Sequence, residues 1–154
     1  MSSPNSSGAA FSDDELAAWH GMLTLYSRVM RNLDRDLLAS HQISVREFDV
    51  LITLANAPHR HLRMSDLAQR VMLTPSGLTR LVERLERVRL VERQTDPGDA
   101  RSFRAVLTDP GARRLDEART THNAVIRAHL TNRLSVEELR ELAAIWAKVL
   151  PDED

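Results

Sequence analysis

Apolar residues near the start of the chain recur at alternating steps of three and four: Leu16, Trp19, Leu23, Tyr26, Met30, Leu33 and Leu37. That spacing keeps one face of a helix apolar, so it predicts a single long amphipathic helix to about Ser40. Ser12-Asp-Asp-Glu15 opens it with the spacing of a capping box. A second box, Ser44-Val-Arg-Glu47, opens a helix carrying Phe48, Val50, Leu51, Leu54 and Ala55, which Pro58 closes. His59 to Met64 reads as a short link with room for one strand. Ser65 then caps a short helix, Asp66 to Met72, with Leu67, Ala68 and Val71 turned inward. Thr74-Pro75 is a strong start signal, because Thr caps and Pro suits the first helical position. The helix behind it runs to about Arg89, with Leu78, Leu81, Val82 and Leu85 on one stripe. Val91–Thr95 and Ser102–Leu107 read as a hairpin about the turn Asp96-Pro-Gly-Asp99. Thr108-Asp-Pro-Gly111 starts a long polar-rich helix to about Arg133, and a third box, Ser135-Val-Glu-Glu138, starts the last. Residues 1–11, rich in Ser, Asn, Gly and Ala, read as a mobile tail.

Two short helices followed directly by a twisted hairpin spell a winged helix-turn-helix within a mostly α chain. On the helix from Pro75, the leucine stripe anchors one side, and Ser76, Arg80, Glu83, Arg84 and Arg87 fall opposite by the helical period. A helix of this shape enters a major groove with its first turn toward base edges. That turn holds Thr74, Ser76, Gly77, Thr79 and Arg80, whose small side chains permit close approach. Arg80 is long enough to reach guanine O6 and N7 with two hydrogen bonds, and Arg84 suits a phosphate. The same charge pattern also suits a solvated, salt-bridged helix face. The hairpin tip favours the DNA reading, because it places Arg101 on a finger that fits a minor groove, with Asp99 two residues away to orient it.

Charge sharpens this picture. The 154 residues carry a formal net charge of −1, which by itself argues against a polyanion partner. Between Arg60 and Arg104, however, ten arginines face six acids, a local surplus of four positive charges. Of the basic side chains only Lys148 is not arginine, and arginine is the forked donor that suits phosphate and guanine. Arginine-rich codon usage would explain that preference, but not the clustering.

The segments Ser65-Asp-Leu-Ala68, Leu78-Thr-Arg-Leu-Val-Glu-Arg-Leu-Glu86, Asp99-Ala-Arg-Ser102 and Val106-Leu-Thr-Asp-Pro-Gly111 together resemble the MarR family of transcriptional regulators. The Asp-x-Arg-Ser wing tip and the Leu-Thr-x-x-Gly exit are the most specific marks, and the likeness spans roughly residues 13–150. It implies a winged helix-turn-helix over 41–111 and N- and C-terminal dimerisation helices over 12–40 and 112–150. It further implies a homodimer on a pseudopalindromic operator in double-stranded DNA, usually as a repressor, with Asp99, Arg101 and Ser102 in the wing. The two recognition helices would then stand one duplex turn apart, ~34–36 Å. One departure is Arg89, where the family commonly has glycine. Either the turn there must do without glycine's φ freedom, or Arg89 adds a phosphate contact.

The resemblance also suggests a pocket for a small aromatic or phenolic effector, lined by Trp19, Met22, Tyr26, His41, Phe48 and Asp49. Trp19 and Asp49 are similar to the tryptophan and second-helix aspartate of urate-responsive members, while core packing is the plainer role for Trp19, Tyr26 and Phe48. The chain has no cysteine, which excludes disulfides and cysteine-based peroxide sensing. His59-Arg-His61 offers two imidazoles on a link, too few to argue a metal, and no cofactor is expected. His-Glu-x-x-His, Walker and Gly-x-Ser-x-Gly patterns are missing, so an enzyme is not expected. No apolar run approaches the ~20 residues of a membrane span, and the Ser-rich start lacks the regions of a signal peptide, so a cytoplasmic protein is the default. Two other classes fit the pattern less fully: a helical module that docks a protein partner, and an architectural nucleic-acid binder without sequence preference.

Overall fold

The computed structural model describes residues 10–150, so most of the expected 1–11 tail lies outside them. Local capping sets the helix starts. Ser12, Ser44 and Ser135 each close a full capping box, and Thr74 and Thr108 each accept the N–H of a glycine three residues on. The helices so begun are α1 (Asp13–His41), α2 (Val45–Ala55), α4 (Pro75–Arg87), α5 (Asp109–His129) and α6 (Val136–Val149), with α3 (Met64–Arg70) between α2 and α4. Three strands, β1 (His61–Arg63), β2 (Val91–Asp96) and β3 (Asp99–Leu107), form one antiparallel sheet in the order β1-β3-β2.

Several expected boundaries move. α3 starts at Met64 because β1 runs straight into it, so Arg63 holds the cap position without a side-chain cap bond and Ser65 lies inside the first turn. Pro58 does not close α2, which ends at Ala55; it opens a turn in which His59 and Arg60 both carry positive φ. α5 stops at His129 and a short 3-10 turn, Thr131–Arg133, follows.

The core is the contact zone of α2, α3, α4, the sheet and the middle of α5. Phe48, Leu51, Leu54, Leu67, Leu78, Val82, Leu85, Ala105 and Leu115 are each essentially inaccessible. Burying side chains of this size stabilises the fold by roughly 1.5–3 kcal/mol each. Of the α1 stripe, Leu33 and Leu37 enter this core and Met30 packs against it half-buried, while Leu16, Trp19, Leu23 and Tyr26 stay exposed. α6 buries no residue at all, and Val136, Ile145, Trp146, Val149 and Leu150 face outward. A 14-residue helix without a buried face is marginal in water.

The exit from the wing explains the Leu-Thr-x-x-Gly motif. The Thr108 hydroxyl donates to the carbonyls of Arg89 and Leu90 (2.7 and 3.0 Å) and accepts from the N–H of Gly111. A Cβ at Gly111 would run into the Leu90 carbonyl, so α5 can dock this closely only with glycine there.

Arg89 sits at the other side of this junction with φ 58°, the left-handed region. The N–H of Leu90 reaches back to the carbonyl of Leu85 at 2.9 Å, the bonding of a Schellman stop. The turn thus keeps the geometry that glycine adopts freely and imposes it on an arginine. Arg89→Gly should therefore raise unfolding stability by about 0.5–1 kcal/mol in urea titration, with no change in helix content.

Candidate nucleic-acid interface

α4 presents its expected faces. Leu78, Val82 and Leu85 are buried, and Thr74, Ser76, Arg80, Glu83, Arg84 and Arg87 are exposed, with Gly77 and Thr79 half-buried. Thr79 is steadied by its hydroxyl, which donates to the Pro75 carbonyl at 2.9 Å. Arg80, in the second turn, is exposed.

The wing projects Arg101 by a device that the sequence pattern did not reveal. β2 and β3 pair regularly from Val91↔Leu107 to Thr95↔Phe103, and the next pair is Asp96↔Asp99. Ala100, Arg101 and Ser102 therefore lie on β3 with no counterpart on β2, a bulge that lifts them out of the ladder. Asp99 supplies two bonds within the bulge: its carboxylate accepts the N–H of Arg101 at 3.0 Å, and its carbonyl accepts the Ser102 hydroxyl at 3.1 Å. The expectation that Asp99 orients Arg101 thus needs correcting in mechanism. The contact is to the backbone, not the guanidinium, which is left exposed.

Three ion pairs, none foreseen from the sequence, brace these elements. Arg63 on β1 grips Asp96 with Nε at 2.7 Å and Nη2 at 3.4 Å, and Asp96 also accepts the Gly98 N–H at 2.8 Å. The Arg63 guanidinium hydrogen bond, then the Gly98 N–H, hold the Asp96 carboxyl below the usual carboxylate range. Arg93 on β2 reaches Glu86 of α4 at 2.7 Å, which ties the wing to that helix. Arg84 pairs at 2.9 Å with Glu47, a carboxylate only 2% exposed, whose other oxygen accepts the N–H of Ser44 in the α2 capping box. Arg84, expected to contact phosphate, pairs through Nε with Glu47 and so also struts α2 to α4, while its side chain stays half exposed. Removing it would strand a buried carboxylate. The spacing of Glu47 from Ser44 marked it as a cap, but no local signal marks a partner 37 positions away.

Wing and helix face one cleft. Thr79 of α4 and Ser102 of the wing, together with Ser65, Arg93 and Phe103, line the same space of about 370 Å³. Phe103, 49% exposed, was not singled out from the sequence.

The six effector candidates do not converge as a group. His41 Nε2 meets the Thr121 hydroxyl at 2.8 Å, Phe48 is core and stacks on His122 with ring centroids 4.5 Å apart, and Asp49 lies near the same imidazole. Burial pushes the Asp49 carboxyl up, against the opposing charges of Arg46 and His122. Trp19, Met22 and Tyr26 instead stand exposed on α1. The His59 and His61 rings lie 6.1 Å apart, and among the described residues no group of three or more potential ligands could hold a metal. Among the same residues, no helix is long and apolar enough to cross a membrane.

Comparison with known proteins agrees with this geometry. Residues 41–102 match the family model described as MarR family. The chain is 32% identical over 134 residues to the HTH-type transcriptional regulator PecS of Dickeya dadantii, covering 80% of this chain and 76% of the relative. It is 32% identical over 91 residues to the HTH-type transcriptional repressor MdtR of Bacillus subtilis, covering 59% and 58% of the two chains. Its fold is similar to that of Sco3205, a MarR family transcriptional regulator from Streptomyces coelicolor solved in complex with DNA. The TM-score is 0.85 at 30% identity, over 94% of this chain and 91% of that one.

The lowered Asp96 carboxyl gives a signed pH test. A depressed acid stabilises above its unfolded pKa and loses that contribution as pH falls through the folded value. Asp96→Asn should lower the melting temperature at neutral pH, and the gap to the parent protein should close below the usual carboxylate range. Melting curves across an acid pH series check it.

Proposed function

The chain belongs to the MarR family, and on that premise we propose that it is a sequence-specific DNA-binding transcriptional regulator that acts as a homodimer, with repression as its mode. The observation that carries this is that Thr79 of α4 and Ser102 of the wing bulge line one cleft, with Arg80 and Arg101 exposed on the same two elements. In this reading Thr74, Ser76, Gly77, Thr79 and Arg80 face the major groove, with Arg80 on a base edge. Arg101 enters the adjacent minor groove, while Asp99 and Ser102 hold the bulge that aims it. Base contacts specify and phosphate contacts set register, so the braces Arg93–Glu86 and Arg84–Glu47 matter because they fix α4 relative to the wing. The role is non-enzymatic and needs no cofactor.

What supports the homodimer is the apolar surface left open on α1 and α6, which a second copy would cover. We assign dimerisation to 12–40 and 112–150 and DNA binding to 41–111. A small aromatic effector seated where α1 meets the second copy is the regulatory half of the proposal, with Trp19, Met22 and Tyr26 of α1 then shared between that pocket and the dimer contact. Such a ligand shifts DNA binding only through a differential affinity for two spacings of the recognition helices.

Selection from a random duplex pool, followed by titration against the selected and a scrambled duplex, tests the function; equal affinity for both would reject it. Arg101→Ala should weaken binding to the selected duplex at least tenfold, the order expected for a lost groove contact, while the dimer persists in sedimentation. Ile145→Asp with Val149→Asp, two exposed positions on one face of α6, should shift the sedimenting species to the monomer mass.

A further inference from the structure

Phe103 stands at the end of an apolar row that outruns the core. On the inner face of β3, Leu107 is 5% exposed and Ala105 is 0%, yet Phe103, next in the same alternation, is 49% exposed. Its partner across the ladder is Thr95, itself exposed. Beneath the ring lies the cleft bounded by Thr79 and Ser65 on the helical side and by Arg93 and Ser102 on the wing side. Met64 and a second guanidinium, Arg63, complete the lining, so the half-exposed ring and one further apolar side chain sit in an otherwise polar cleft.

The occupant follows from duplex geometry. A helix seated in a major groove and a wing in the neighbouring minor groove lie on opposite sides of one sugar–phosphate strand. That strand must therefore pass through the space between them. Its deoxyribose offers C–H surface to a ring, and its phosphates turn toward the polar rim. We propose that Phe103 packs against a deoxyribose of the strand straddled by α4 and the wing, an apolar contact that adds affinity without reading sequence. It rests on the DNA-binding function proposed above.

Such a contact releases no counterion, and this separates it from an arginine contact. Phe103→Ala should weaken binding to the selected and the scrambled duplex alike, by about five- to tenfold, with the slope of affinity against salt unchanged. Phe103→Leu, which keeps apolar bulk, should retain most of the affinity. Circular dichroism melts verify that each variant is folded at the titration temperature. Parental affinity in folded Phe103→Ala would overturn the proposal while leaving the regulator reading intact. So would a Phe103→Leu as weak as the alanine variant, which would instead indicate a ring stacked on a base. Failure of the parent protein to bind any selected duplex would reject the regulator reading itself.

Discussion

Burial of Leu78, Val82 and Leu85 fixes which way α4 faces, and most of what the surface presents follows from it. Rolling the helix would expose residues whose burial is worth several kcal/mol together, so the opposite face is held toward solvent. Once the stripe is seated, ion pairs set the remaining freedom. Glu47 steadies α4 from α2, and Arg93 steadies it from the wing. Glu47 is notable for dividing its oxygens between the α2 cap and Arg84, so the start of one helix and the body of another share a single buried carboxylate.

The family-specific motif residues turn out to serve the backbone before they serve a ligand. Asp99 accepts the Arg101 N–H and the Ser102 hydroxyl within a three-residue bulge, and so holds the backbone that presents an exposed Arg101. Gly111 and Thr108 allow α5 to close on the Leu90 carbonyl. Arg89 shows that the conformation, not the residue type, is what the wing junction requires, since the left-handed turn persists with a side chain attached. Local strain of this kind is held in place by the packing on either side.

The arms follow a different logic. α1 joins the core only through its C-terminal half, and α6 not at all, so the ends of the chain carry apolar faces that its own core does not use. The chain thus pairs a net positive surplus over Arg60–Arg104 with open apolar side chains on α1 and α6. That pairing is the physical basis for reading two kinds of partner, a polyanion for the one and a second copy for the other.

Helix starts, the wing turn and the two-faced character of α4 were legible because each depends on residues within about four positions of one another. Ser12, Ser44, Thr74, Thr108 and Ser135 all cap as their spacing implies, while Ser65 does not, because a strand entering the helix pre-empts it. The Arg63–Asp96 and Arg84–Glu47 pairs, the bulge at Ala100–Ser102 and the open position of Phe103 were not legible. Each joins residues from separate elements or depends on strand register, and charge or alternation along one segment carries no information about which distant segment will lie opposite. The amino-acid sequence by itself thus determined the elements and the kind of surface each would carry. Only the tertiary structure decided which arginines become struts and which, among the described residues, make no ion pair, because an ion pair forms where packing happens to bring two charges together.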